Sequence, residues 1–88
     1  MEVSFSKSFY RSVAKINDQK LLGKIEGVIL KAKRVNQVSE IDNIKKLVGF
    51  KNAYRVRIGD YRIGIIYENY IITFAVFGNR KDIYKYFP

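Results

Sequence analysis

The chain has 88 residues, enough for one domain with a modest core, and its 48% hydrophobic and 28% charged residues are typical of a globular protein. It contains no cysteine and no histidine, which excludes a disulfide framework and a thiolate nucleophile and makes a transition-metal site improbable. Seventeen basic residues against eight acidic ones give a formal charge of +9, which indicates an anionic partner such as nucleic acid or an acidic protein.

The amino-terminal segment has no apolar core of signal-peptide length. No run in the chain approaches the ~20 apolar residues that a membrane-spanning helix needs. We therefore expect a cytoplasmic protein with no membrane partner.

The first third of the chain predicts a short strand followed by a helical hairpin. Val3 and Phe5 alternate as in an edge strand, and Ser6 is suited to cap the helix that follows, with Phe5 and Tyr10 placed for a hydrophobic staple. Asp18 is suited to cap a second helix, in which apolar residues recur at spacings of three and four. Both helices are expected to lay one apolar face on the rest of the protein.

The segment from residue 31 to residue 52 predicts a connector, part loop and part short strand, that closes at Gly49. Its first four residues, Lys31 to Arg34, are rich in cations. We interpret them as the solvated end of the second helix, where cations complement the negative end of the helix dipole, in preference to a nucleic-acid patch.

After Asn52 the pattern changes to the alternation that is typical of three antiparallel strands, separated by Gly59-Asp60 and by Glu68-Asn69. Gly59 at the first central position favours a type II′ turn. The predicted fold class is α+β, in a single domain over residues 1–88. It comprises an N-terminal strand, a two-helix hairpin packed on a three- to four-stranded antiparallel sheet, and a short C-terminal helical turn.

A two-residue loop at Gly59-Asp60 fixes which side chains share a face of the sheet. It places Arg57 opposite Arg62 and Arg55 opposite Gly64, so that the three arginines point together, away from the helices. The other face is apolar and is expected to lie under the helices; it consists of Tyr54, Val56, Ile58, Tyr61, Ile63 and Ile65.

Like charges directly opposite each other destabilise a sheet by ~0.2–1 kcal/mol. We interpret their presence here as a site that binds an anion. One alternative is that solvent screens the charges and nothing binds. Another is that an acidic residue from elsewhere in the chain pairs with the arginines, although there are only eight acids and the strand face itself offers only Glu68.

The second hairpin, with its loop at Glu68-Asn69, extends both predicted faces. The apolar face is expected to gain Tyr70, Ile72, Phe74 and Val76, and the arginine face Ile71, Thr73, Ala75 and Phe77. Because the residues nearest the arginines are small, we expect a shallow basic bay above Gly64, Thr73 and Ala75.

The final segment adds cations and aromatic rings to the same region. Gly78 ends the third strand beside the turn of the first hairpin, so Arg80 is expected to reach toward the other arginines. Tyr84 and Tyr86 follow, and tyrosine beside arginine suits stacking on a base and binding its phosphate. The alternative is that the terminal aromatic residues dock on the core, which we expect for at least one of Tyr84, Tyr86 and Phe87.

Three motifs together resemble the RelE/ParE superfamily of small toxins from type II toxin-antitoxin modules, and especially its RelE branch. They are the leucine-x-glycine of Leu47 and Gly49, the hairpin YRVRIGDYR, and an ending with Gly78, Arg80 and Tyr84. The resemblance covers nearly all the chain. It implies a strand, a helical hairpin and an antiparallel sheet, in agreement with the pattern of the residues.

The resemblance also implies an activity and partners. It implies an endonuclease that cuts mRNA in the ribosomal A site without a metal ion or other cofactor, through attack of the 2′-hydroxyl on the scissile phosphate. The partners are then the mRNA, the ribosome and a cognate antitoxin with an acidic segment, and the free toxin is expected to be a monomer.

Residue by residue, Arg55 and Arg57 match the basic hairpin positions of the family, and Arg62 matches its transition-state arginine. Arg80 matches its later arginine, while the base-stacking tyrosine matches Tyr84 or else Tyr86. The implied catalytic residues are Arg57, Arg62, Arg80 and Tyr84, and the implied RNA-binding residues are Lys51, Arg55, Lys81 and Tyr86.

One position departs from the family. Members commonly carry a lysine, glutamate or histidine as general base, whereas here the matching hairpin positions are arginine, whose proton is hard to remove. The base is then Lys81, a tyrosine, an unusually placed arginine, or absent. Two other functions remain open: a ParE-like inhibitor of DNA gyrase, and a noncatalytic module that binds RNA or the ribosome.

Overall fold

Two helices pack on one face of a five-stranded sheet in the computed structural model, which describes residues 1–88. Short 3-10 turns follow the second helix and the last strand. None of the helices has the length and apolar character needed to cross a membrane. In chain order the helices and strands are β1 (Glu2–Phe5), α1 (Lys7–Ala14), α2 (Gln19–Arg34), β2 (Ile44–Lys46), β3 (Ala53–Ile58), β4 (Tyr61–Glu68) and β5 (Ile71–Asn79), and the 3-10 turns are Val38–Glu40 and Ile83–Lys85.

The strand order in the sheet is β1-β5-β4-β3-β2. β1 runs parallel to β5, and every other neighbouring pair is antiparallel. The predicted α+β class, helical hairpin and C-terminal turn are confirmed. The sheet has five strands because the short segments β1 and β2 both join it, one at each edge.

Capping side chains set the start of each helix, as predicted. The amide of Phe9 donates to Ser6 Oγ over 3.1 Å, and the rings of Phe5 and Tyr10 lie 5.5 Å apart. Asp18 Oδ1 accepts from the amides of Lys20 and Leu21. Ser6 also ties the helix to the sheet, since its amide donates to the Phe74 carbonyl and its hydroxyl to that of Ala75.

Ser6→Ala is expected to lower the free energy of unfolding by about 1–2 kcal/mol, because the helix loses its cap and the Ala75 carbonyl loses a donor. Urea unfolding measures this change. Ser8→Ala is the matched control: Ser8 is exposed on the same helix, and we expect a change within about 0.5 kcal/mol. Equal losses in the two variants would contradict the assigned role of Ser6.

The main core lies between the helices and the sheet. The first hairpin supplies Val56, Ile58, Ile63 and Ile65 to it, as predicted, and all four are buried. The other buried members are Phe9, Ile25, Ala32, Val35, Val38, Ile41, Ile72, Phe74 and Phe77.

The second hairpin turns one residue later than predicted. Its loop is Asn69-Tyr70, with φ values of 51° and 63°, and Glu68 pairs with Ile71. A type I′ turn needs positive φ at both central residues, and asparagine adopts this conformation more readily than glutamate. The prediction that Tyr70 lies on the apolar face is therefore wrong, since its side chain is exposed in the turn.

A β-bulge exchanges the faces of the last residues of β5. Ile65 pairs with Phe74 but Gly64 pairs with Val76, which leaves Ala75 as the extra residue. Because side chains alternate along a strand, one extra residue reverses every later side chain. The placements of Ile72 and Phe74 are confirmed, but those of Val76 and Phe77 are wrong: Phe77 joins the main core and Val76 turns to the arginine face.

A second, smaller core forms on the arginine face. Ala53, Val76, Ile83 and Phe87 are buried together there, so the C-terminal segment docks on the sheet opposite the helices. The expectation that at least one terminal aromatic residue docks on the core is confirmed by Phe87, which is 5% exposed.

Candidate functional site

The three hairpin arginines share one face of the sheet. Arg57 pairs with Arg62, and Arg55 pairs with Gly64, as the two-residue loop predicts. Gly59 has a φ of 55°, and of the two loop residues it alone has positive φ, in agreement with the predicted type II′ turn.

Backbone carbonyls hold two of the guanidinium groups. Arg55 Nη1 donates to the carbonyl of Asn43, which also accepts from the amide of Arg57. Arg62 Nη1 donates to the carbonyls of Gly59 and Tyr61, over 2.8 and 2.9 Å. The charged group of Arg55 is therefore held on the β2 side of the hairpin, whereas the turn itself orients Arg62.

No carboxylate neutralises these arginines. The salt bridge that the structure contains joins Lys85 to Asp82, two exposed residues of the C-terminal segment. Glu68, the acid on the same strand face, accepts a hydrogen bond from Asn52 instead. The positive charge at the turn is thus free to act on an anion.

The end of β5 brings Arg80 to the same turn. Gly78 pairs with Arg62, and the amide of Arg80 donates to the carbonyl of Asp60 over 2.9 Å. Lys81 follows, with its amide bound to the side chain of Asn79. Arg80 and Lys81 are both exposed, beside the arginine pair.

Two glycines make room for the C-terminal segment on this face. A Cβ added to Gly64 would lie 2.6 Å from Cδ2 of Phe87, and one added to Gly78 would lie 2.6 Å from the hydroxyl oxygen of Tyr86. The predicted open bay is therefore wrong in part, because Phe87 and Val76 fill the space above Gly64.

The two candidate tyrosines occupy different places. The hydroxyl of Tyr86 stands over Gly78, which is the strand partner of Arg62, so it lies beside the arginine pair. Tyr84 is 50% exposed on the 3-10 turn, whose other side buries Ile83. The sequence left the choice open because spacing alone does not say how the last turn lies on the sheet.

Lys51 lies away from this group. It belongs to the loop before β3, whereas Arg57 is near the end of that strand. The strand from Ala53 to Arg57 alone spans about 13 Å at ~3.3 Å per residue, so Lys51, before its first residue, stands toward the opposite end of the hairpin.

Two roles of glycines were not predicted from the sequence: the carbonyl of Gly59 orients Arg62, and the absence of a side chain on Gly78 admits Tyr86. For Gly78 a signal was present, because glycine within a strand often marks a place where another group approaches closely.

Comparison with known proteins places the chain among toxins of this architecture. No protein-family model matches it. Toxin RelE3 of Methanocaldococcus jannaschii is 35% identical to it over an alignment of 89 positions that covers 100% of both chains.

Solved structures give the same result. The RelB-RelE antitoxin-toxin complex of Methanococcus jannaschii is 33% identical, covers 97% of this chain and 99% of its own, and superposes with a TM-score of 0.81. The archaeal RelE-RelB complex of Pyrococcus horikoshii OT3 shares the fold at 18% identity, with a TM-score of 0.71 over 90% of this chain and 93% of its own. The 35% identity to a RelE toxin over the full length of both chains, together with the shared fold, confirms the resemblance seen in the motifs. The chain belongs to the RelE family of toxins.

Proposed function

We propose that this protein is a ribosome-dependent mRNA endonuclease and the toxin of a type II toxin-antitoxin module. The observation that carries the proposal is the group of uncompensated arginines at the turn of the first hairpin, with Arg80 and the Tyr86 hydroxyl beside it. A site of this charge suits a reaction in which negative charge builds up on a phosphate.

The reaction is attack of a ribose 2′-hydroxyl on the adjacent phosphorus. The new bond joins the 2′-oxygen to phosphorus, the bond to the 5′-oxygen breaks, and the products are a 2′,3′-cyclic phosphate and a 5′-hydroxyl. One proton leaves the 2′-oxygen and one reaches the 5′-oxygen. The protein must align the attacking and leaving oxygens, neutralise the phosphoryl oxygens and move these protons.

Each residue has a part that its position supports. Arg62, held by two carbonyls of its own turn, is oriented before substrate binds and would stabilise the pentavalent phosphate with Arg80. Arg55 and Arg57 would hold the RNA backbone. The exposed Tyr84 ring would stack on a base.

The Tyr86 hydroxyl is the group that we assign to proton movement or to a hydrogen bond with the phosphate. It lies next to Arg62 on the sheet, while Lys81 is a second candidate for proton transfer two residues after Asn79. Lys51, at the other end of the hairpin, would contact RNA only outside the reacting nucleotides.

Tyr86→Phe is expected to slow mRNA cleavage by about five- to tenfold, since it removes one hydrogen-bonding hydroxyl and keeps the ring. Single-turnover cleavage on programmed ribosomes measures the rate. Tyr84→Phe is the matched control and should stay within about twofold of wild type, because stacking needs the ring and not the hydroxyl. The reverse order of effects would assign the role to Tyr84.

The proposed partners are the ribosome, the mRNA in its A site and a cognate antitoxin. The RelB-RelE antitoxin-toxin complex of Methanococcus jannaschii supports the last of these. We further propose that the protein acts in the cytoplasm and that the free toxin is a monomer.

The test of this function is to incubate the purified protein with ribosomes programmed with a defined mRNA and to map the RNA ends. New ends confined to the ribosomal A site are expected, without added metal beyond what the ribosome needs. Intact mRNA together with blocked supercoiling by DNA gyrase would overturn the proposal in favour of a ParE-like inhibitor. Binding to the ribosome without cleavage would leave only a noncatalytic module.

A further inference from the structure

A single carbonyl oxygen, that of Asn43, binds two of the arginines on the arginine face. Asn43 directly precedes β2 and lies opposite Arg57 of β3. Its carbonyl accepts a hydrogen bond from the Arg57 amide over 3.1 Å and a second from Arg55 Nη1 over 3.2 Å. A carbonyl oxygen has two lone pairs and can accept from both donors at once. The charged end of Arg55 is therefore fixed beside the backbone of Arg57.

This contact decides where the charge of Arg55 lies on the sheet. Arg55 pairs with Lys45 of β2, so a side chain standing upright on the sheet would hold its charge beside that lysine. Because its guanidinium group reaches Asn43 instead, the side chain leans along the strand by two residues, about 6.6 Å. The charge thereby reaches the row of residues that contains Arg57 and Arg62.

The row crosses the strands of the sheet and has no acid to balance it. The salt bridge of the structure lies elsewhere, in the C-terminal segment. Like charges gathered on a sheet repel each other, and a bound anion lowers that free energy. Neighbouring strands are ~4.8 Å apart, so the cations follow one another across the sheet. Such a row suits a polyanion whose successive phosphates meet successive cations.

Asn43 presents its carbonyl through an uncommon backbone conformation. Its φ is 61°, in the left-handed region, which asparagine adopts more readily than most residues that have a side chain. The side chain is exposed, and the main chain makes the contacts to both arginines. A residue that disfavours positive φ would turn the carbonyl away from Arg55.

We infer that Asn43 is a positioning residue for RNA binding: it places the charge of Arg55 in line with Arg57 and Arg62, so that the RNA backbone crosses the strands along this row. The inference deepens the function proposed above and rests on it. Asn43 acts through Arg55, whereas the turn of the first hairpin orients Arg62 independently. A change at Asn43 should therefore weaken substrate binding and leave the chemical step unchanged.

The experiment measures single-turnover cleavage on programmed ribosomes over a range of toxin concentrations. Asn43→Val is expected to raise the half-saturating concentration about three- to tenfold, because a β-branched residue disfavours positive φ and Arg55 loses its hydrogen bond. The maximal rate should stay within about twofold of wild type. Asn43→Gly is the conservative variant: it keeps the carbonyl and adopts positive φ freely, so both values should stay within about twofold.

Asn69→Val is the matched control for backbone strain. Asn69 has a φ of 51° in the loop of the second hairpin, at the other end of β4 from Arg62. Both valine variants should be less stable in urea than wild type, but Asn69→Val should keep the half-saturating concentration within about twofold. If valine at position 43 prevents folding, Asn43→Ala should shift the concentration in the same direction.

A double-mutant cycle tests whether Asn43 acts through Arg55. Arg55→Ala is expected to raise the half-saturating concentration about tenfold, and the addition of Asn43→Val should then change it by less than about twofold. A further severalfold rise in the double variant overturns the inference, because Asn43 would act by another route. Equal shifts in Asn43→Val and Asn69→Val also overturn it.

Binding to a fluorescent single-stranded RNA, measured by anisotropy, separates this inference from the proposed function because it requires no cleavage. If the wild-type protein binds the RNA but cuts no mRNA on ribosomes, the endonuclease is overturned. Weaker RNA binding by Asn43→Val than by Asn69→Val would still support the positioning role. An RNA affinity that Arg55→Ala leaves unchanged overturns the inference, whether or not ribosomal mRNA is cut.

Discussion

Arg62→Ala is expected to slow mRNA cleavage by about 100- to 1,000-fold, the effect of removing one preorganised donor to a developing oxyanion. Arg62 is the arginine whose charged group is already oriented, by the carbonyls of Gly59 and Tyr61. Its charge has no acidic partner to be released from before substrate binds. The loss should appear in the single-turnover rate on programmed ribosomes and not in the affinity for the ribosome.

Arg11→Ala is the control for the loss of one positive charge. Arg11 is exposed on α1, and its removal should change the cleavage rate by less than about twofold. Because Arg62 makes surface hydrogen bonds only to its own turn, its variant should keep nearly the wild-type free energy of unfolding. Undiminished cleavage by a folded Arg62→Ala protein would remove the arginine from the mechanism.

Phe87→Ala is expected to lower the free energy of unfolding by about 3 kcal/mol, the low end of the range for a buried phenylalanine, since the C-terminal segment can partly relax. Small domains have only about 5–15 kcal/mol in total, so this is a large fraction. The ring is buried with Ala53, Val76 and Ile83 and contacts the backbone position of Gly64. Urea unfolding measures the change, and cleavage should fall with it because Tyr86 loses its anchor.

Tyr84→Ala tests whether any aromatic residue of the segment would have the same effect on stability. Tyr84 is exposed, so its loss should cost no more than about 0.5 kcal/mol. Gly64→Ala approaches the same contact from the sheet and should cost about 1–3 kcal/mol, because the new methyl group would overlap the Phe87 ring. Strict additivity of Gly64→Ala and Phe87→Ala would contradict the contact, since neighbouring residues couple.

The first hairpin could be predicted from the sequence to the level of single pairs. Gly59-Asp60 is a strong turn signal between alternating strands, and a two-residue loop fixes every pairing that follows. The second hairpin could not, because Asn69 serves equally well as the first or the second residue of a turn. The bulge at Ala75 left no signal at all, since a register shift depends on what packs on each face and not on local preference.

Part of the candidate site could also be predicted from the sequence, and part could not. Alternation placed Arg55, Arg57 and Arg62 on one face, because that placement follows from the backbone alone. The sequence did not reveal where the charged groups end, since carbonyls of Asn43 and Gly59 hold them. The sequence also did not reveal that the Phe87 ring fills the space above Gly64, because this contact depends on the path of the last residues across the sheet.

Because of the bulge at Ala75, residues of β5 face two different layers of the protein. Before it, Ile72 and Phe74 face the helices; just after it, Val76 faces the C-terminal segment. The strand therefore contributes to two separate cores, the main one under the helices and a smaller one that holds Phe87, through different residues. A substitution at Val76 can therefore change how tightly the C-terminal segment is held, while the main core under the helices keeps its residues.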